Sequence, residues 1–155
     1  MAIPQYAISN IVNLFQDTMY YAKAQLQDQK WVPARAMMNI TELGTQTVGL
    51  LGYGSINRET ARLAKGYGCR ILAATSDGQR KPDEVGDLIV PGAGDKDGSI
   101  PEKYYSTKDD ASFDEFLSQT DVLSEWISSV LCIQLTGICV SQSWPYPTFQ
   151  LLTTL

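Results

Sequence analysis

Between Thr47 and Ala74 a short apolar run, a glycine turn, an amphipathic stretch and a second short run follow one another. Thr47-Val48-Gly49-Leu50-Leu51 suits a buried strand ending at Gly52. Ser55 to Tyr67 carries Ile56, Leu63, Ala64 and Tyr67 at helical spacing, and Gly68 is placed to stop that helix. Arg70-Ile71-Leu72-Ala73-Ala74 is a second strand. Strand, helix and strand in about 30 residues make a βαβ unit, whose strands are parallel and whose crossover is right-handed.

The rest of the chain is arranged around this unit. Ile8, Ile11, Val12, Phe15, Met19, Ala22 and Leu26 form one apolar stripe, which predicts a single long helix over roughly 6–28. Trp31 to Asn39, with Pro33, reads as a connection. From Ser76 to Ala111 the pattern is lost, and the segment is expected to be a surface insertion with Leu88-Ile89-Val90 as a short third strand. Ser112 to Gln119 resumes a helix on Phe113, Phe116 and Leu117, and Thr120-Asp121-Val122-Leu123 opens a fourth strand.

Gly52-Tyr53-Gly54-Ser55-Ile56-Asn57 joins the first strand to its helix. A Gly-x-Gly turn lets backbone pass close to a pyrophosphate, and the helix behind it aims its N-terminal N–H groups at the same phosphates. A lone Gly-x-Gly is weak, and a tight turn without a ligand is the alternative. The flanking strands and helix favour the dinucleotide reading. The expected fold is therefore α/β, a partial Rossmann-type doubly wound parallel sheet preceded by a long helix. Asn57 stands where the fingerprint has its third glycine, and its side chain is expected to push the helix off the sheet. At the end of the second strand, where an acid commonly meets the ribose, the chain has Thr75 and Ser76, then Asp77, with Arg80 and Lys81 beyond. Neutral hydroxyls followed by cations lean toward NADP over NAD, although Asp77 is able to take the acidic role and the cations also suit a solvated loop.

Other chemistries are narrowed by composition. Histidine is absent, which excludes His-based acid–base catalysis, Ser-His-Asp triads and His-ligated zinc within this chain. The net charge of −5 argues against nucleic-acid or anionic-membrane partners. Cys69, Cys132 and Cys139 cannot all pair and lack metal-ligand spacing, so reduced thiols and a cytoplasmic location are expected. The N-terminus shows no secretory pattern. Asp95-Lys96-Asp97-Gly98 is reminiscent of a calcium loop, but the first and twelfth ligand positions fall on Ala93 and Tyr104, so no metal is expected there.

Thr47 to Ala64 resembles the D-isomer-specific 2-hydroxyacid dehydrogenases. Trp31, Glu42-Leu43-Gly44, Phe113-Asp114-Glu115-Phe116-Leu117 and Thr120-Asp121-Val122-Leu123 fit the same family, and Gly92 to Tyr105 is similar to its fungal-type branch. The resemblance implies hydride transfer between a nicotinamide and a 2-hydroxy or 2-keto acid, a two-domain plan, and homodimers among intact members. It implies Gly52, Tyr53, Gly54, Ser55 and Ile56 at the pyrophosphate and Thr75 and Ser76 at the ribose. Arg80 is added as a contact from its charge. The family's substrate-binding Arg and acid–His pair have no counterpart, so no catalytic residue is assigned.

Every Lys, Arg, Asp and Glu lies in 1–125, and Trp126 to Leu155 has none. Trp126 to Val140 is too short and too polar to predict a membrane span. The resemblance stops at Leu123, so the expected division is 1–40 (helix and connection), 41–123 (partial cofactor domain) and 124–155 (a tail of foreign origin, such as translated non-coding or frame-shifted sequence, loosely packed). Two functions follow: a nicotinamide-binding dehydrogenase fragment, inactive alone, or a non-enzymatic interaction module on the same scaffold.

Overall fold

The computed structural model describes residues 2–29, 31–33, 40–82, 91–125, 138–140 and 150–152. Among them run α1 (Ala2–Phe15), α2 (Thr18–Leu26), β1 (Thr47–Leu51), α3 (Ser55–Gly66), β2 (Arg70–Thr75), β3 (Lys103–Ser106), α4 (Asp110–Ser118), β4 (Val122–Glu125), β5 (Ile138–Val140) and β6 (Gln150–Leu152). The sheet order is β3-β2-β1-β4-β5-β6. β1 pairs in parallel with β2 and β4, and β2 in parallel with β3, which bears out the α/β doubly wound reading.

Period-two alternation divides the core. Val48, Leu50, Ile71, Ala73 and Val122 pack with Ile8, Ile11, Ala61 and Ala64 of α1 and α3. Leu72, Ala74, Tyr105 and Phe116 gather the opposite cluster, joined by Phe113 and Leu117 of α4. Gly49 belongs to this second side. A Cβ there would lie 2.5 Å from Thr120 Oγ1 and 2.8 Å from Phe116 Cζ, so only glycine admits α4 this close.

Two expectations are corrected. The long helix over 6–28 is two helices, separated at Asp17, which takes a left-handed φ of 52°. Ile8, Ile11, Val12 and Phe15 reach the core, whereas Met19 and Leu26 are exposed, so the stripe does not continue across the break. The expected strand at 88–90 lies outside the described residues. The strand beside β2 is instead Lys103–Ser106, inside the stretch expected to be a surface insertion, and its Tyr105 is fully buried. β4 runs through Glu125, and β5 and β6 extend the sheet antiparallel beyond it. The rest of the uncharged tail lies outside the described residues. Among the described residues no helix is long and apolar enough to cross a membrane.

Candidate functional site

The sheet order reverses at β1, between β2 on one side and β4 on the other. In open α/β sheets, ligands bind beyond the carboxyl ends of the strands at this point. Gly52 follows β1 directly, and its N–H donates to Ala74 O at 2.8 Å, carrying the β1–β2 pairing into the turn. Its φ of +77° turns the chain sharply toward α3. Gly54 caps the helix and its carbonyl accepts from Arg58 N–H at 2.9 Å. Among the described residues a Cβ on Gly52 or Gly54 would meet nothing within 4 Å, so on that side the turn borders open space. The first N–H groups of α3, beginning at Ser55 and Ile56, have no carbonyl one turn back and carry the positive end of the helix dipole.

Asn57 does not displace the helix. It is buried, and its Nδ2 donates to Leu51 O at 3.1 Å and Gly52 O at 2.7 Å. The carboxamide thereby ties α3 to the end of β1, while Ala61 and Ala64 stay fully buried against the sheet. Its Oδ1 is buried with no hydrogen-bond partner among the described residues.

Tyr53 contributes its backbone to the turn, because its side chain points inward. The ring lies edge-on to Tyr104, and the Arg58 guanidinium sits 4.9 Å from its centroid. Its hydroxyl donates to Asp95 Oδ2 at 2.7 Å. Burial, then the bond to Asp95, pushes the phenol far above its ordinary value. Burial alone would raise the Asp95 carboxyl, but the Ile100 N–H, the Tyr53 hydroxyl and Ser99 together hold it below the usual range.

At the second strand's end, Thr75 is half-buried and closes β2, and Ser76 is exposed. The Thr75 hydroxyl donates to Asp77 Oδ1 at 3.3 Å, and Gln79 N–H reaches the same oxygen. Lys81 pairs with Asp77 at 2.5 Å, and this bond, before the others, lowers the Asp77 carboxyl. Arg80 is exposed, its Nε donating to Asp97 O at 2.7 Å. The structure thus brings Gly52, Gly54, Ser55 and Ile56 together at one edge, with Thr75 and Ser76 at the end of the adjoining strand. Arg58, Glu59 and Asp95 were missed in the sequence because nothing local marks a buried charge. Their only signal was the calcium-like Asp95-Lys96-Asp97-Gly98. Cys69 is buried, its thiol pushed up by that burial, and among the described residues no group of acidic, Cys or His side chains is arranged to hold a metal.

Strand order and glycine turn together define a Rossmann-type dinucleotide-binding fold. Residues 8–91 match the D-isomer specific 2-hydroxyacid dehydrogenase, NAD binding domain, family, and the chain belongs to it. The chain is 33% identical over 72 residues to a D-lactate dehydrogenase of Lactiplantibacillus pentosus, a match covering 46% of this chain and 20% of that protein. It therefore corresponds to about a fifth of that curated relative's length. Its fold is similar to a D-isomer specific 2-hydroxyacid dehydrogenase of Lactobacillus delbrueckii ssp. bulgaricus in the NAD-complexed form (TM-score 0.57, 17% identity, 84% of this chain and 32% of that one). It is also similar to an NADPH-dependent glyoxylate/hydroxypyruvate reductase of Sinorhizobium meliloti in complex with NADP and sulfate (TM-score 0.57, 18% identity, 83% and 33%).

Proposed function

We propose that this chain holds a nicotinamide dinucleotide at the carboxyl ends of β1 and β2, as the cofactor-binding part of a D-2-hydroxyacid dehydrogenase. The observation that carries the reading is the open space in front of Gly52 and Gly54 at the N-terminus of α3, a cradle that any side chain on Gly54 would enter. The turn backbone and the Ser55 and Ile56 N–H groups would take the pyrophosphate. Thr75 and Ser76 would face the adenosine ribose. When bound, the nicotinamide supplies hydride transfer to or from a 2-hydroxy or 2-keto acid; the residues of this chain orient it.

NADP is the favoured cofactor in this reading. Thr75 is neutral where an acid would repel a 2′-phosphate, and the nearby Asp77 is occupied by Lys81, Gln79 and Thr75. Arg80, exposed, adds positive charge on the same loop. With no histidine, the 155-residue chain lacks a proton donor of the family's kind and is inactive alone. Fluorescence titration with NADPH and NADH tests the reading. Saturable binding is expected for both, tighter for NADPH, and no binding of either would overturn it.

A further inference from the structure

The glycine turn and two segments of the connection between β2 and β3 meet in one buried cluster. The carboxylate of Asp95, 5% exposed, accepts four hydrogen bonds. Ser99 N–H and hydroxyl reach Oδ1 at 2.9 and 3.3 Å, and Ile100 N–H reaches Oδ2 at 2.9 Å; these close its own loop. The fourth comes from Tyr53, 42 residues earlier and central to the turn. Arg58, 4% exposed, completes the bridge: Nη1 donates to Asp95 O at 2.6 Å and Nη2 to Lys81 O at 2.7 Å. Arg80 Nε donates to Asp97 O, so the loop after β2 is held at two points. Glu59 adds a further tether by accepting Gly94 N–H at 2.6 Å.

Closing the turn over 95–100 needs only the local bonds from Ser99 and Ile100. The carboxylate's bond from Tyr53 and the main-chain carbonyl's bond from Arg58 do something else: they hold the glycine turn and, through Arg58, the loop after β2 to one residue. We propose that Asp95 is a positioning residue for the dinucleotide site, fixing through Tyr53 and Arg58 the spacing between the glycine turn and the end of β2 with its following loop, which carry Thr75, Ser76 and Arg80. This rests on the cofactor reading above. A dinucleotide must meet both arms at once, so an arm free to drift loses affinity even when each contact survives. Asp95 itself touches no ligand.

The test uses the whole chain, with and without cofactor. In the ligand-free protein, trypsin cleavage at the Arg80–Lys81 bond reports on the loop after β2, and cleavage at Lys96–Asp97 on Asp95's own loop. Asp95→Asn is expected to speed both by about tenfold, and to weaken NADPH binding by about tenfold, as the loss of a hydrogen bond to a charged acceptor would. Tyr53→Phe keeps the ring over Arg58 and removes one hydroxyl. It is expected to speed Arg80–Lys81 cleavage and weaken NADPH by about threefold each, and it serves where Asp95→Asn does not fold. Faster cleavage confined to Lys96–Asp97, or NADPH affinity within about twofold of the parent in a folded variant, would overturn the proposal and leave Asp95 a local loop-closing residue. If the parent chain binds no nicotinamide cofactor, the functional reading fails, while the cleavage comparison still decides whether Asp95 couples the two loops.

Discussion

Single atoms decide several positions. A Cβ on Gly49 would press on Thr120 and Phe116, and Thr120 is itself fixed by donating to Phe116 O at 2.8 Å. Gly49→Val is therefore expected to cost about 1–3 kcal/mol of stability, read as a lowered urea midpoint. Asn57 makes two hydrogen bonds to the end of β1 and the turn, so placing the fingerprint's glycine there is expected to destabilise this chain rather than improve it. Asn57→Gly should lose about 1–2 kcal/mol, and a raised urea midpoint would contradict the tie to Leu51 and Gly52. Asp95 and Tyr53 give a pH window. The folded Asp95 carboxyl lies below its unfolded value, so its contribution is present above about pH 4 and is lost as pH falls through the lower folded value. The folded Tyr53 phenol lies above its unfolded value, so its contribution is full below about pH 10 and is lost only as pH rises through the higher folded value. Arg58 and Tyr104 are the other titratable groups beside the pair. Urea midpoints measured from pH 2.5 to 6 should fall more steeply on the acid side in the parent than in Asp95→Asn; parallel profiles would contradict the assignment.

At the scale of elements, the break between α1 and α2 rests on one residue. Asp17 holds a left-handed φ of 52° that a β-branched residue tolerates badly, so Asp17→Val should lower the urea midpoint by an amount equivalent to about 1–2 kcal/mol. A neutral result would show that the helices do not need that kink. This break was hidden in the sequence because the apolar spacing carries on through Met19 and Leu26, although those side chains face solvent. By contrast, β1, α3 and β2 were legible almost to the residue, since each pairs a clear period with a glycine boundary. β3 was not. Lys103 and Ser106 bracket two tyrosines, so a four-residue strand at the sheet's edge shows neither an apolar run nor an alternation long enough to read. The open side of the candidate site was legible from Gly52 and Gly54, because glycine spacing encodes backbone approach directly. The clasp behind it was not, because Arg58 and Glu59 look like surface charges of a helix until the loop at 91–100 covers them.

At the scale of the whole molecule, the sheet has two characters. β3, β2, β1 and β4 form the parallel half that brings the glycine turn and the end of β2 to one edge; β5 and β6 extend it antiparallel on the far side from β2. Cofactor binding is asked only of the parallel half. Catalysis is not expected of the chain, and incubation with NADPH and glyoxylate or hydroxypyruvate should show no turnover near the order of 1–1000 per second typical of enzymes. The measurement that bears most directly on the central claim is NADPH titration of the parent beside Gly54→Val. Among the described residues a Cβ at Gly54 meets no atom within 4 Å, so the variant should stay folded, losing at most about 1 kcal/mol as a poorer helix cap, while its branched side chain occupies the pyrophosphate's place. The account predicts saturable NADPH binding by the parent and none by the folded variant; equal binding by both would show that the dinucleotide does not sit on this turn.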